Sequence, residues 1–268
     1  MTTLPSTARI GLSRGQVELR EFFRTKEMVI FTFSLPAVLL LLLGSIEHGQ
    51  YVGQLLTASM IGAGVVSTSF VSVGIGIALD REDGTLKRLR GTPMPAVAYF
   101  VGKLVLVLVS SLAEVVLLLL IGTLVFQVQL PSTASGWLTM VWVFLLGVVG
   151  CTLLGIAASS LTRSARGAPA VLNLVFIVLE FISGIFVVPI TDLPSWMIRV
   201  ASVFPVKWLA QGFRSCLLTG SSLPGNLSAL EAAGQWEHGR TALILGAWCL
   251  VGLVLCLMTF RWTNRRAG

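Results

Sequence analysis

Apolar positions fall into six long runs, residues 28–46, 55–79, 99–125, 137–161, 168–188 and 241–260, separated by polar connections. About 20 apolar residues cross the hydrocarbon core of a bilayer as a helix. Each run therefore predicts a transmembrane span, and six spans put both termini on one side. Between the second and third runs the pattern inverts. Residues 80–95 hold four basic and three acidic side chains in sixteen positions and stop at Pro93 and Pro95. That insert predicts a charged, turn-ended element at one membrane face, where a soluble partner could grip.

Before the first run, Ala8, Leu12, Leu19, Phe22 and Phe23 gather on one side of a helical wheel, with Arg14, Glu21 and Arg24 on the other. The pattern predicts an amphipathic interfacial helix within residues 1–27. The first run is too long for the apolar core of a signal peptide and follows a segment containing Glu18, Glu21 and Glu27, so it is expected to stay in the mature protein. Small residues recur every fourth position as Gly64, Thr68, Ser72, Gly76 and as Gly147, Cys151, Gly155, Ser159. Each set makes a smooth helical face, suited to packing within one subunit or to a translocation or subunit surface.

Residues 183–215 are too apolar for a free loop and too broken by Pro189, Pro194 and Pro205 for one span. Two short helices, about 195–203 and 206–217, are expected to dip into the outer leaflet with Trp196 and Trp208 at the interface, as a re-entrant hairpin or an external cap. The predicted organisation is a single all-α membrane domain, 1–268. It divides into an amphipathic segment (1–27), five spans (28–188), an external re-entrant segment (189–240), a sixth span (241–260) and a tail (261–268).

Composition agrees. Hydrophobic residues make up 55% of the chain, charged residues 12%, and the mean hydropathy is +0.88, against about 25% charged in soluble domains. The net charge of +7 does not form an aromatic-interleaved patch, which speaks against nucleic-acid binding. Fifteen of nineteen Lys and Arg lie before the first span, from Arg81 to Lys103, at Arg163 and Arg166, or after Phe260. The positive-inside rule then makes both termini and the insert cytoplasmic in a multi-pass plasma (inner) membrane protein. Cys151, Cys216, Cys249 and Cys256 show no CxxC spacing, and Cys249 and Cys256 stand roughly 10 Å apart on one helix, too far for a disulfide.

The chain has no G-x-x-x-x-G-K-[ST] phosphate loop, so nucleotide chemistry belongs to another polypeptide and the chain itself is not expected to be an enzyme. His48 and His238 lie in predicted external connections, and no motif offers a metal site. Glu114 and Glu180 fall inside predicted spans. Ionisable groups at that depth are functional candidates because inserting them costs about 2.5 kcal/mol or more. Asn173, two turns before Glu180, extends a polar stripe on the fifth span.

The insert, with Asp80, Arg81, Glu82, Asp83, Gly84, Thr85, Leu86, Lys87, Arg88, Leu89, Arg90, Gly91, Thr92 and Pro93, followed by Tyr99, Gly102 and Lys103, resembles the cytoplasmic signature of type 2 ABC exporter permeases. Gly184, Pro189, Leu193, Pro194, Trp196 and Pro205 resemble the segment before that family's last span. The resemblance implies a permease that pairs with a second copy or a sister permease and with two ATP-binding subunits, which would carry the ATP and Mg; no cofactor is expected in this chain. It also implies that Arg81, Glu82, Asp83, Gly84, Thr85, Lys87, Arg88 and Arg90 form a coupling helix. Glu82 and Asp83 would open that helix, with the basic residues at its C-terminal end. Drugs or antibiotics are the expected cargo. Export of a lipid-linked glycan, glycolipid or polysaccharide is the alternative within the class, and a proton-coupled secondary transporter using Glu114 and Glu180 lies further off.

Overall fold

The computed structural model describes residues 6–46, 50–92, 94–162, 164–186, 193–218 and 236–259. Among them all regular structure is helical. Helix α1 (Thr7–Arg24) opens where Ser6 Oγ accepts the Arg9 amide at 3.4 Å and closes at Thr25. Its inward face is Gly11, Gly15, Glu18 and Phe22. Leu12 and Phe23, on the apolar side of the wheel, are 54% and 47% exposed, as a side turned to lipid would be. The face turned to α6 is a different one, where close approach to a neighbouring helix selects small residues. A Cβ on Gly11 would stand 2.7 Å from Val101 Cβ, and one on Gly15 the same distance from Val105 Cβ.

Among the described residues five helices are long and apolar enough to cross a membrane. They are α2 (Lys26–Ile46); a continuous rod, Tyr51–Glu82, made of α3 (Gln50–Val66), a π-helical segment (Ser67–Ser72) and α4 (Val73–Glu82); α6 (Ala96–Phe126), which follows the short α5 (Thr85–Arg90); α7 (Ala134–Ala158), extended by a 3-10 turn to Leu161; and α11 (His238–Thr259). The fifth predicted span, 168–188, differs. Helix α8 (Ala168–Ile182) has 15 residues, about 22 Å at 1.5 Å each against a hydrocarbon core of about 30 Å. It stops because Gly184 takes φ +69° and the Ile185 amide turns back to the Glu180 carbonyl at 3.3 Å. The expectation of six spans thus becomes five membrane-length helices and one shorter apolar helix among the described residues.

The rod α3–α4 is the centre of the bundle, packed by α2, α6, α7 and α8. The two fourth-position stripes both pack inside the chain but against different partners: Gly64 and Thr68 meet Glu114 of α6, whereas Gly147 meets Leu209 and Gly155 meets the π segment. A Cβ on Gly155 would fall 2.5 Å from the Phe70 carbonyl oxygen and 3.0 Å from Phe70 Cα, so α7 touches the π segment backbone to backbone. Helices α9 (Ser195–Ala201) and α10 (Pro205–Leu217) lie close to the expected positions. Helix α10 wedges among α3, α7 and α11 at the end of the bundle opposite α5. Trp208, Leu209, Ala210 and Phe213 are at most 1% exposed, so Trp208 belongs to the core, not to an interface, while Trp196 is 60% exposed.

Candidate coupling element and intramembrane groove

The apolar rod continues past Leu79 as helix, so Asp80, Arg81 and Glu82 form its last turn and Asp83 follows it. The acidic pair therefore ends α4; it does not open α5, as the dipole pattern had suggested. Gly84, at φ +73°, makes the turn between the two helices, a conformation that glycine adopts without the steric cost other residues meet. Leu86 anchors α5 at 0% exposure, leaving Lys87 and Arg88 exposed and Thr85 half-buried. Arg90 closes the helix.

The first three charges of the insert each hold a different part of the chain. Asp80 Oδ2 accepts the Tyr99 hydroxyl at 2.7 Å and lies 2.8 Å from Lys103 Nζ. Arg81 donates to the Ser159 carbonyl at 3.0 Å and to Ser159 Oγ at 3.3 Å, fastening the rod to the end of α7. Glu82 Oε2 accepts the Ala165 amide at 2.6 Å, fastening the loop before α8. Glu82 stays exposed while so bonded, and Asp83, Lys87 and Arg88 are exposed too.

Lys103 also binds Glu18 Oε2 at 2.8 Å, and Glu18 Oε1 takes Arg14 at 2.6 Å. Glu18 and Lys103 are each 5% exposed. Two cations and two carboxylates, Arg14, Lys103, Glu18 and Asp80, so bind α1, α4 and α6 at the base of α5. Buried charges are tolerable only when paired in this way. In the sequence Lys103 and Tyr99 belong to the insert's signature, which does not reveal what they bind. Their spacing of four places both on one face of α6, which was the available signal.

The two intramembrane carboxylates lie on different sides of the rod. Glu114, 1% exposed, accepts Thr68 Oγ1 at 2.7 Å on Oε2, while its Oε1 has no partner among the described residues. It packs over Gly64, where a Cβ would stand 2.6 Å from Oε1. Glu180, 4% exposed, instead lines a cleft between α2, α3 and α8 with Leu35, Met60, Ser67 and Phe176. An adjoining cleft of about 380 Å³ carries Asn173, Thr32, Ser72 and, at its outer end, Glu27; Leu35, Ser67 and Phe176 line both. Asn173 donates to the Pro169 carbonyl at 2.8 Å. Ser67 and Thr68, neighbours in the π segment, thus face the Glu180 groove and Glu114 respectively; such segments often mark functional positions.

At the opposite end, Arg214 of α10 is 2% exposed and donates through Nε and Nη2 to Ser59 Oγ at 3.1 and 2.9 Å, and to the Gly184 carbonyl at 2.7 Å. Nothing in the sequence singled it out. Pro205 is the first residue of α10, Pro194 precedes α9, and Pro189 lies outside the described residues, as do Pro93, His48, Arg163 and the C-terminal arginines. Cys151, Cys249 and Cys256 are free thiols.

A family model described as ABC-2 type transporter matches residues 15–218, from within α1 to the end of α10. The chain belongs to the ABC-2 type transporter family. The resemblance drawn from the insert and the external segment is thereby shown, and the five apolar helices make this member a multi-pass membrane protein. It is 26% identical over 180 residues to the probable multidrug ABC transporter permease YbhR of Escherichia coli strain K12, and likewise to the protein of that name in Escherichia coli O157:H7. Each alignment covers 67% of this chain and 46% of the relative, so the chain spans about half the length of the curated relatives it matches.

Proposed function

We propose that this chain is the permease subunit of an ATP-driven exporter of drugs, antibiotics or other amphipathic small molecules. It works with two copies of a separate ATP-binding subunit, which carry ATP and Mg, and with a second copy of itself or a sister permease. The shorter α8 makes the sixth crossing. Both termini and α5 face the cytoplasm, α1 lies in the membrane interface, and α9 and α10 form the external re-entrant cap.

The observation that carries this reading is α5: a two-turn helix with one fully buried anchor, Leu86, and exposed Lys87 and Arg88, rooted through Asp80, Arg81 and Glu82 in α6, α7 and the loop before α8. A push on its outer face is transmitted to three elements at once. Family membership and the multidrug name of the YbhR relatives support the same reading. The test is co-purification of the tagged chain from its native membrane. A phosphate-loop ATPase should accompany it and be lost on Lys87→Glu with Arg88→Glu. A chain that transports while purifying alone refutes the proposal.

A further inference from the structure

The groove beside α8 holds a carboxylate that nothing in the fold uses. Glu180 is 4% exposed and is bordered by apolar side chains, Met60 and Phe176 among them, with the Ser67 hydroxyl as the nearby polar group in its cleft. No hydrogen bond or ion pair reaches its carboxylate among the described residues. A charge at this depth is costly unless a counter-charge accompanies it. The fold answers the same problem differently elsewhere: Glu18 and Asp80 have Lys103, and Glu114 has Thr68. Along both adjoining clefts the described lining contains no Lys, Arg or His, and the second carboxylate, Glu27, stands at the outer end. The volume of about 380 Å³ suits one drug-sized molecule.

The geometry points to an amphipathic organic cation as the cargo of this groove, its positive centre beside Glu180 and its apolar body against Phe31, Phe176 and Leu35. The inference rests on the exporter reading and narrows it. A cation supplies the counter-charge that the fold withholds; a neutral cargo leaves Glu180 uncompensated, and an anionic cargo meets Glu27 and Glu180 with no basic group to offset them. Asn173, Thr32 and Ser72 along the way offer neutral polar contacts that do not trap the charge before it reaches Glu180.

Equilibrium binding of tetraphenylphosphonium, a permanent lipophilic cation, and of triphenylphosphine oxide, its neutral relative, to the purified full-length chain tests this. Glu180→Gln should weaken the cation by about tenfold or more and the neutral compound by less than about twofold, while Glu114→Gln changes neither, since it removes no charge from the groove. Glu180→Asp should retain the preference for the cation. Equal loss of both probes in Glu180→Gln, or a wild-type chain that binds no cation, overturns the inference. Should Glu180→Gln fail to fold, the wild type suffices: tetraphenylphosphonium should protect Glu180 from carbodiimide modification, and full modification at saturating cation refutes it. ATP-dependent export of a neutral probe without cation binding removes the charge assignment and leaves the exporter. Cation binding that Glu180→Gln abolishes, without ATP-dependent export, supports the site and removes the exporter.

Discussion

Lys103 Nζ stands 2.8 Å from Glu18 Oε2 and 2.8 Å from Asp80 Oδ2, so one ammonium joins the amphipathic helix to the last turn of the central rod. Removing it leaves the buried Glu18 and the half-buried Asp80, of which only Glu18 keeps a cationic partner, Arg14. Lys103→Ala should therefore lower stability by about 3–5 kcal/mol. The measurement is the thermal midpoint of the purified chain, with the exposed Lys87→Ala expected to stay within about 0.5 kcal/mol of wild type. Equal midpoints for the two variants contradict the assignment.

The charges around Gly84 divide into inward and outward sets. Arg81→Ala and Glu82→Ala should lower the thermal midpoint because each frees a bonded partner, Ser159 or the Ala165 amide, at a cost of about 1–3 kcal/mol. Lys87→Glu with Arg88→Glu should leave the midpoint unchanged and abolish association with an ATPase in a pull-down. A double variant that keeps its ATPase removes α5 from the coupling role.

At Gly155 the constraint is backbone contact. A methyl group there meets the Phe70 carbonyl oxygen at 2.5 Å, and neither α7 nor the π segment can yield by rotating a side chain. Gly155→Ala should cost about 1–3 kcal/mol through overpacking and reduce the monodisperse yield on size exclusion. At Gly246, where a Cβ meets nothing within 4 Å, the same change should be tolerated. Loss of yield in both variants alike would argue against the close crossing of α7 and the rod.

Much of this architecture was legible beforehand, because bilayer thickness sets the length of apolar runs and four of the five membrane-length helices begin and end within a few residues of those runs; the central rod starts four residues earlier. What was missed turns on partners distant in the chain. Arg81 and Glu82 look like surface charges until the fold brings Ser159 and Ala165 to them, 78 and 83 residues on. The inward face of α1 carries little apolar signal in the sequence, since Gly11 and Gly15 contribute by being small. The early stop of α8 follows from the Gly184 turn, which an uninterrupted hydropathy run conceals. Glu180 and Asn173 were legible as a polar stripe, but the separation of Glu180 from Glu114 required the rod that stands between them.

Arg214 ties α10 to α3 and to the Gly184 turn that ends α8. Its truncation strands the Gly184 carbonyl and Ser59 Oγ in the interior, so Arg214→Ala should cost about 2–4 kcal/mol. Limited proteolysis should then cut the segment carrying α9 and α10 earlier than the bundle. Wild-type resistance in this variant would show that α10 is held by Trp208 and Phe213 alone.

The most direct test of the central claim is export from proteoliposomes containing the chain and its co-purified ATPase, with a fluorescent amphipathic cation as probe. Export that requires ATP, persists when the proton gradient is collapsed and is lost with Lys87→Glu and Arg88→Glu is the expected result. Export that continues without ATP and ceases with the proton gradient would contradict an ATP-driven permease and make the chain a secondary transporter.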